Sequence, residues 1–167
     1  MGTGALVRWV SAPASKLGEL FLRTPALARA PIALYRAGFG WILGSRMLLL
    51  EHIGRSSGRR RLVVLEVLGR PGPHTYVVAS GFGETAQWFR NVMAEPRVRI
   101  STGRLTSMPA QARRMTGSEA DTALSDYIAQ HPRAWAALKG VLEQNLNGRI
   151  DPPGTDLPLV ELTVRAP

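Results

Sequence analysis

The residues best suited to chemistry are Gly54-Arg55-Ser56-Ser57-Gly58-Arg59-Arg60-Arg61, which set four cations, two hydroxyls and two glycines between the apolar runs 47–53 and 62–68. Guanidinium forks match phosphate oxygens in two-point fashion, and backbone N–H groups in a tight turn converge on an anion. The segment therefore offers an anion trap made of its arginines, the Ser56 and Ser57 hydroxyls and the N–H groups from Ser56 to Arg59. Its plainest ligand is a phosphate. The same residue types also make an ordinary solvated turn, because Gly and Ser favour turns for backbone reasons alone. Short apolar runs bounded by turn residues read as strands, which places the trap at the end of a hairpin.

Other chemistries are poorly provided for. The chain of 167 residues has no cysteine, which excludes disulfides, thiolate catalysis, iron–sulfur clusters and cysteine zinc sites. His52, His74 and His131 are far apart and have no carboxylate at ligand spacing, so no metal site is expected and each histidine reads as structural or exposed. Ser80-Gly81-Phe82-Gly83 lacks the glycine two before the serine that a nucleophile elbow needs, and neither a P-loop nor a dinucleotide-binding glycine motif occurs. An enzyme built this way borrows its reactive group from a cofactor and supplies binding, orientation and exclusion of water.

The formal charge of +9 is unevenly spread. Residues 1–61 carry ten Arg or Lys against two Glu, net +8, whereas residues 62–167 carry eleven against ten, net +1. A positive field of that kind steers a polyphosphorylated cofactor, a nucleic acid or an anionic membrane. Aromatic residues are not interleaved with arginines on a strand face, so a nucleic-acid platform is not supported.

The elements that must position the trap follow from periodicity. Residues 1–45 read as a helical arm: Leu17, Leu20, Phe21 and Ala28 fall near helical spacing, and Pro25 and Pro31 punctuate the segment. The arm packs on the following domain or rests, through Trp9, Phe21, Tyr35, Phe39 and Trp41, on an anionic membrane. No run reaches the roughly 18 uncharged apolar residues of a membrane span, and Arg8 and Pro13 interrupt any secretory signal. Residues 46–167 form the second unit. Runs 47–53 and 62–68 read as strands buried on both faces with Glu66 the exception, residues 69–73 as a turn, and residues 75–80 as a third strand. A short helix over 85–95, a hairpin over 97–101 and 105–115, a capping-box helix opened by Thr116 and Glu119, a helix from Pro132 and a last strand over 157–164 complete the order. With such short turns the expected architecture is α+β and mainly β, a small antiparallel barrel with flanking helices.

Four ordered motifs, Leu48-Leu49-Leu50, then Gly54-Arg55-x-Ser57-Gly58-x-x-Arg61, then Val77-Val78-Ala79-Ser80-Gly81-x-Gly83, then Trp88-Phe89-x-Asn91-Val92 with Glu95-Pro96-x-Val98, resemble the deazaflavin-dependent nitroreductase family. The likeness covers roughly residues 31–164. It implies a split β-barrel related to the pyridoxamine-phosphate-oxidase-like, FMN-binding flavoproteins, coenzyme F420 as cofactor, and pairing into a homodimer. It further implies that Arg55, Ser57, Gly58 and Arg61 receive the cofactor's phosphate, with Arg59 and Arg60 near its glutamate tail. Ser56 stands where many relatives have lysine, which removes one cation from the loop. Val78, Ala79, Ser80 and Gly81 would border the deazaflavin ring, and Trp88 and Asn91 would brace the site. Trp88 reads equally well as a core residue, and Asn91 as a cap or backbone partner. The segment between Ser80 and Trp88 is shorter than in nitroimidazole-reducing members, so that activity is not carried over.

The resulting expectation is a cytoplasmic oxidoreductase, peripheral on the inner face of the cell membrane if the arm touches lipid, that passes hydride from reduced coenzyme F420 to a quinone, nitroaromatic or enone-like small molecule. Tyr127, or Tyr35 from the arm, is the candidate proton donor. The alternatives are the same barrel holding FMN or a tetrapyrrole, and a non-enzymatic basic protein on a membrane surface.

Overall fold

A computed structural model of the chain describes residues 30–37 and 40–165; the sequence motifs placed on 1–29 lie outside these residues. Of the arm, helix α1 (Ala30–Arg36) and a single 3-10 turn (Gly40–Leu43) are described. The Tyr35 hydroxyl donates to the Met47 carbonyl at 2.9 Å, fastening α1 to the first strand. Gly40 passes so close beneath the Tyr35 ring that a Cβ there would lie 2.2 Å from it.

Strands β1 (Met47–Ile53), β2 (Arg60–Gly72), β3 (Thr75–Ala79), β4 (Arg97–Thr102), β5 (Leu105–Arg114) and β6 (Leu159–Val164) close into a barrel in the order β1-β2-β3-β6-β5-β4, every pair antiparallel. Alternation decides what fills it. Leu48 and Leu50 of β1, Val98 and Ile100 of β4, and Val160 and Leu162 of β6 point inward and are almost wholly buried, whereas Arg97 and Arg99 stay exposed. Each such apolar side chain contributes roughly 1.5–3 kcal/mol by leaving water. Helix α2 (Gln87–Ala94) plugs one barrel end with Phe89 and Val92. A second core lies outside the barrel, where α3 (Gly117–Gln130) and α4 (Pro132–Asn145) cover Val77 and Leu159 with Leu124, Tyr127, Trp135 and Leu142. The expected capping box is present: Glu119 N–H donates to Thr116 Oγ1, and Glu119 Oε2 accepts from Thr116 N–H at 2.7 Å.

Three local expectations are corrected. β2 is half-exposed from Leu62 to Gly69 rather than buried on both faces, because Leu62 and Val63 line an open groove and the outer helices meet β2 at Glu66 and Leu68. β2 also runs through the expected turn, absorbing Gly69 and Gly72 at register shifts, so the chain reverses at Pro73 and His74 instead. The helix expected from residue 85 starts at Gln87. Before it, Gly83 at φ +65° starts a 3-10 turn (Gly83–Thr85), held by the buried Ser80 hydroxyl donating to the Gly83 carbonyl at 2.6 Å.

Candidate functional site

The loop between β1 and β2 closes on itself. Ser57 and Gly58 N–H both donate to the Gly54 carbonyl, at 3.1 and 2.8 Å, and Gly54 N–H donates back to the Arg59 carbonyl at 2.8 Å. Gly58 takes φ +62°, a left-handed turn that glycine adopts without strain. The Arg59 N–H donates to Ser57 Oγ at 3.3 Å. This corrects the expected cradle of free N–H groups: those of Ser57, Gly58 and Arg59 are used inside the loop, so side chains must do the gripping.

Arg55 is anchored from α2. Its backbone N–H and its Nη1 both donate to Asn91 Oδ1, at 3.1 and 2.9 Å, and Nη1 also donates to Gln87 Oε1 at 3.1 Å. Asn91 Nδ2 in turn lies 3.2 Å from His52 Nδ1. Beside this cluster runs a groove of about 710 Å³, one wall formed by Arg55, Ser56, Ser57 and Arg61, the other by Phe82, Ala86 and Trp88, with His52 and Asn91 also on its lining. Among the described residues no carboxylate lines it. A smaller hollow of about 430 Å³ lies across Gly54, Arg55 and Gly58, bounded by Ile53 and Arg97.

The residues expected from sequence divide into three groups. Arg55, Ser56, Ser57, Arg61, Trp88 and Asn91 come together on the groove, and Gly58 shapes the loop behind it. Asn91 binds a backbone N–H, and Trp88 is half-buried, packing edge-on to Phe89 while also facing the groove. Arg59 is exposed on the same loop. Arg60, one strand position from Arg61, points to the opposite face, where Nη1 pairs with Glu51 Oε2 at 3.0 Å; alternation along β2 separates neighbours the sequence sets side by side.

Val78, Ala79, Ser80 and Gly81 do not line the groove. Val78 fills the barrel, Ala79 packs on the outer core, Ser80 is fully buried, and a Cβ at Gly81 would sit 3.3 Å from Leu142. Phe82 and Ala86, just beyond them, supply the apolar wall instead.

Neither Tyr127 nor Tyr35, the expected proton donors, lines the groove. Tyr127 is 2 % exposed and donates to Glu66 Oε1 at 3.2 Å; burial first, then the Glu66 charge, push its phenol well above the usual range. Tyr35 is bonded to Met47, and burial pushes it up to about 12. Both hydroxyls serve the framework.

Sequence reasoning missed His52 and Gln87. His52 follows Leu48 and Leu50 on the inward face of β1, and a polar residue at the end of a buried stripe beside a cationic loop is a readable signal. It is 4 % exposed, and burial lowers its pKa; the Arg61 charge works the same way, against a raising contribution from the Ile53 backbone. Burial and the Arg61 charge both favour the neutral imidazole.

A family model for F420H(2)-dependent quinone reductase matches residues 29–138, which span the loop, the groove walls and α3. Among curated proteins none matches the chain. Solved structures share the fold. A protein of unknown function, Atu2129 from Agrobacterium tumefaciens str. C58, is 19 % identical over 86 % of this chain and 57 % of its own, TM-score 0.53. A protein described as a domain-swapped dimer is 18 % identical over 80 % and 99 %, TM-score 0.52. An F420-H2 dependent reductase, FDR-A, is 20 % identical over 70 % and 93 %, TM-score 0.49. With 110 of 167 residues inside the family match, the chain belongs to the F420H(2)-dependent quinone reductase family and is an F420-dependent oxidoreductase.

Proposed function

We propose that the groove of about 710 Å³ is the coenzyme site and that its acceptor is a quinone, with nitroaromatic and enone-like compounds as substitutes of the same shape. The observation that carries the reading is a groove whose lining sets Arg55 and Arg61 beside Phe82, Ala86 and Trp88 and, among the described residues, holds no carboxylate. A polyanion with a flat ring fits such a lining. Arg55 and Arg61 hold the phosphate with the Ser56 and Ser57 hydroxyls beside them, while Gly58 lets the loop close. Arg59, exposed on the loop, reaches the glutamate tail; Arg60 does so only by leaving Glu51. The bound coenzyme supplies a hydride. The chain's own part is to orient it, exclude water with Phe82, Ala86 and Trp88, and leave an apolar slot for the acceptor. Phe82, 49 % exposed at that rim, favours a flat apolar partner over a charged one.

Titration with the coenzyme, followed by its fluorescence, should give micromolar binding that Arg55→Ala weakens at least about tenfold, since a charged hydrogen bond is worth about 1.5–3 kcal/mol. Absence of binding by the unaltered protein would sink the reading. A yellow purified protein carrying FMN would favour the flavin alternative.

Residues 1–45 are treated as an arm able to touch an anionic membrane, a contact suited to a quinone reductase; among the described residues no helix is long and apolar enough to cross one. Liposome sedimentation with and without residues 1–30 tests this contact. Pairing of two copies in the cytoplasm is part of the same proposal, and light scattering measures it.

A further inference from the structure

Asn91 is an acceptor on one side and faces a ring nitrogen on the other. Its Oδ1 takes two Arg55 donors, at 3.1 and 2.9 Å, while Nδ2 lies 3.2 Å from His52 Nδ1. A primary amide keeps nearly the same shape after a half-turn about its last bond, so packing scarcely chooses between the two orientations and hydrogen bonding does. Both Arg55 groups are obligate donors and demand an oxygen. That oxygen can face the loop only if the opposite end of the amide finds an acceptor for its N–H. Asn91 and His52 are both buried, so water is a poor substitute and an unmet donor is costly.

His52 meets that need only in one form. With Nδ1 unprotonated it accepts from Asn91, and its proton then sits on Nε2. Among the described residues, the charged groups that line the groove are Arg55 and Arg61, both cations, and Arg61 stands opposite His52 in the β1–β2 ladder. Gln87, Phe82 and Trp88 face the same space without charge. The neighbourhood thus disfavours imidazolium.

We propose that His52 is a positioning residue for anion capture: by accepting from Asn91 it holds that amide with its oxygen toward the loop, and through that oxygen it holds Arg55 at the groove. This rests on the reading of the groove as the coenzyme site and adds the element that keeps its main cation in place without neutralising it. A carboxylate at Asn91's place would hold Arg55 as firmly but cancel its charge.

The test uses the full chain and two variants. His52→Asn keeps an acceptor on an atom bonded to Cγ, as Nδ1 is; His52→Leu removes it. In coenzyme-free protein the imidazole nitrogen resonances should report the Nε2–H tautomer. Exchange of the Arg55 backbone amide should quicken about fivefold or more in His52→Leu and change less than about twofold in His52→Asn. With coenzyme added, His52→Leu should raise Kd about tenfold while kcat at saturation stays within about twofold, and His52→Asn should bind nearly as the parent does. An Nδ1–H tautomer, or His52→Asn as impaired as His52→Leu in amide exchange, overturns the proposal. If His52→Leu does not fold, the tautomer and the His52→Asn exchange rate decide. If the unaltered protein binds no coenzyme, the coenzyme reading fails, and the tautomer and amide exchange still judge the role of His52.

Discussion

Arginines are held in two different ways in this molecule. Away from the groove several meet carboxylates, Arg60 with Glu51, Arg97 with Glu95, Arg114 with Glu84, and Arg113 with both Glu119 and Glu161, although Arg165 and Arg99 meet neutral Gln111 and Ser107. At the groove, Arg55 is held by the neutral amides of Gln87 and Asn91, and among the described residues neither it nor Arg61 has a salt-bridge partner. A carboxylate fixes a guanidinium and consumes its charge. A neutral amide fixes it and leaves the charge available. The first arrangement serves local order; the second suits the anionic coenzyme proposed for the groove.

That contrast can be broken from either side. The largest expected effect is that of Arg55→Ala, which removes both cation and fork and should cost at least about tenfold in coenzyme affinity. Gln87→Glu is sharper in logic: it leaves the arginine but installs a carboxylate where Oε1 now sits 3.1 Å away, and should weaken coenzyme binding several-fold to about tenfold with an unchanged melting curve. If affinity stays put in Gln87→Glu, charge conservation at Arg55 is not what matters. Away from the groove, Tyr127→Phe should leave coenzyme affinity and turnover unchanged while lowering stability by about 1 kcal/mol in urea unfolding, the usual worth of a lost hydrogen bond. Thr116→Ala should likewise cost about 1 kcal/mol, by unmaking the capping box of α3.

A pH effect follows from His52. Because its folded pKa lies below the ordinary 6.5, the unfolded chain binds more protons just beneath that value, and this contribution to stability is complete above about pH 6.5 and shrinks on acidification. Glu119, held down to about 2 chiefly by Arg113, loses its contribution only in a lower window, below its ordinary 4.5. Urea midpoints at about pH 7 and about pH 5.5 should therefore differ more for the parent than for His52→Asn.

Local signals were legible in the sequence and distant partnerships were not. The anion loop, the six strands and the Thr116 to Glu119 capping box each depend on residues within a few positions of one another, which turn chemistry and periodicity report directly. Tyr127 shows the limit: its partner Glu66 is 61 residues away, and nothing near Tyr127 announces that its hydroxyl is taken. By resemblance the motif at Val78 to Gly81 borders the ring; β3 alternation buries the Val78 side chain in the barrel, and Ser80 turns its hydroxyl back to Gly83. Arg60 and Arg61 look equivalent in the chain, but β2 sends one to Glu51 and the other to the groove. His52 reads by residue type alone as structural or exposed, though counting by two from Leu48 places it on the inward face at the loop.

The circular strand order has a bearing on assembly. Each of the six strands has a neighbour on both sides, but β2 pairs with β1 over 60–66 and with β3 only from Val67 onward, so among the described residues the first half of β2 keeps one unpaired edge. That stretch leads out of the loop between β1 and β2 and borders the groove at Leu62 and Val63. A second copy could meet it strand to strand as well as through side-chain faces, so the end of the ladder that carries the loop is the part of the sheet most open to extension.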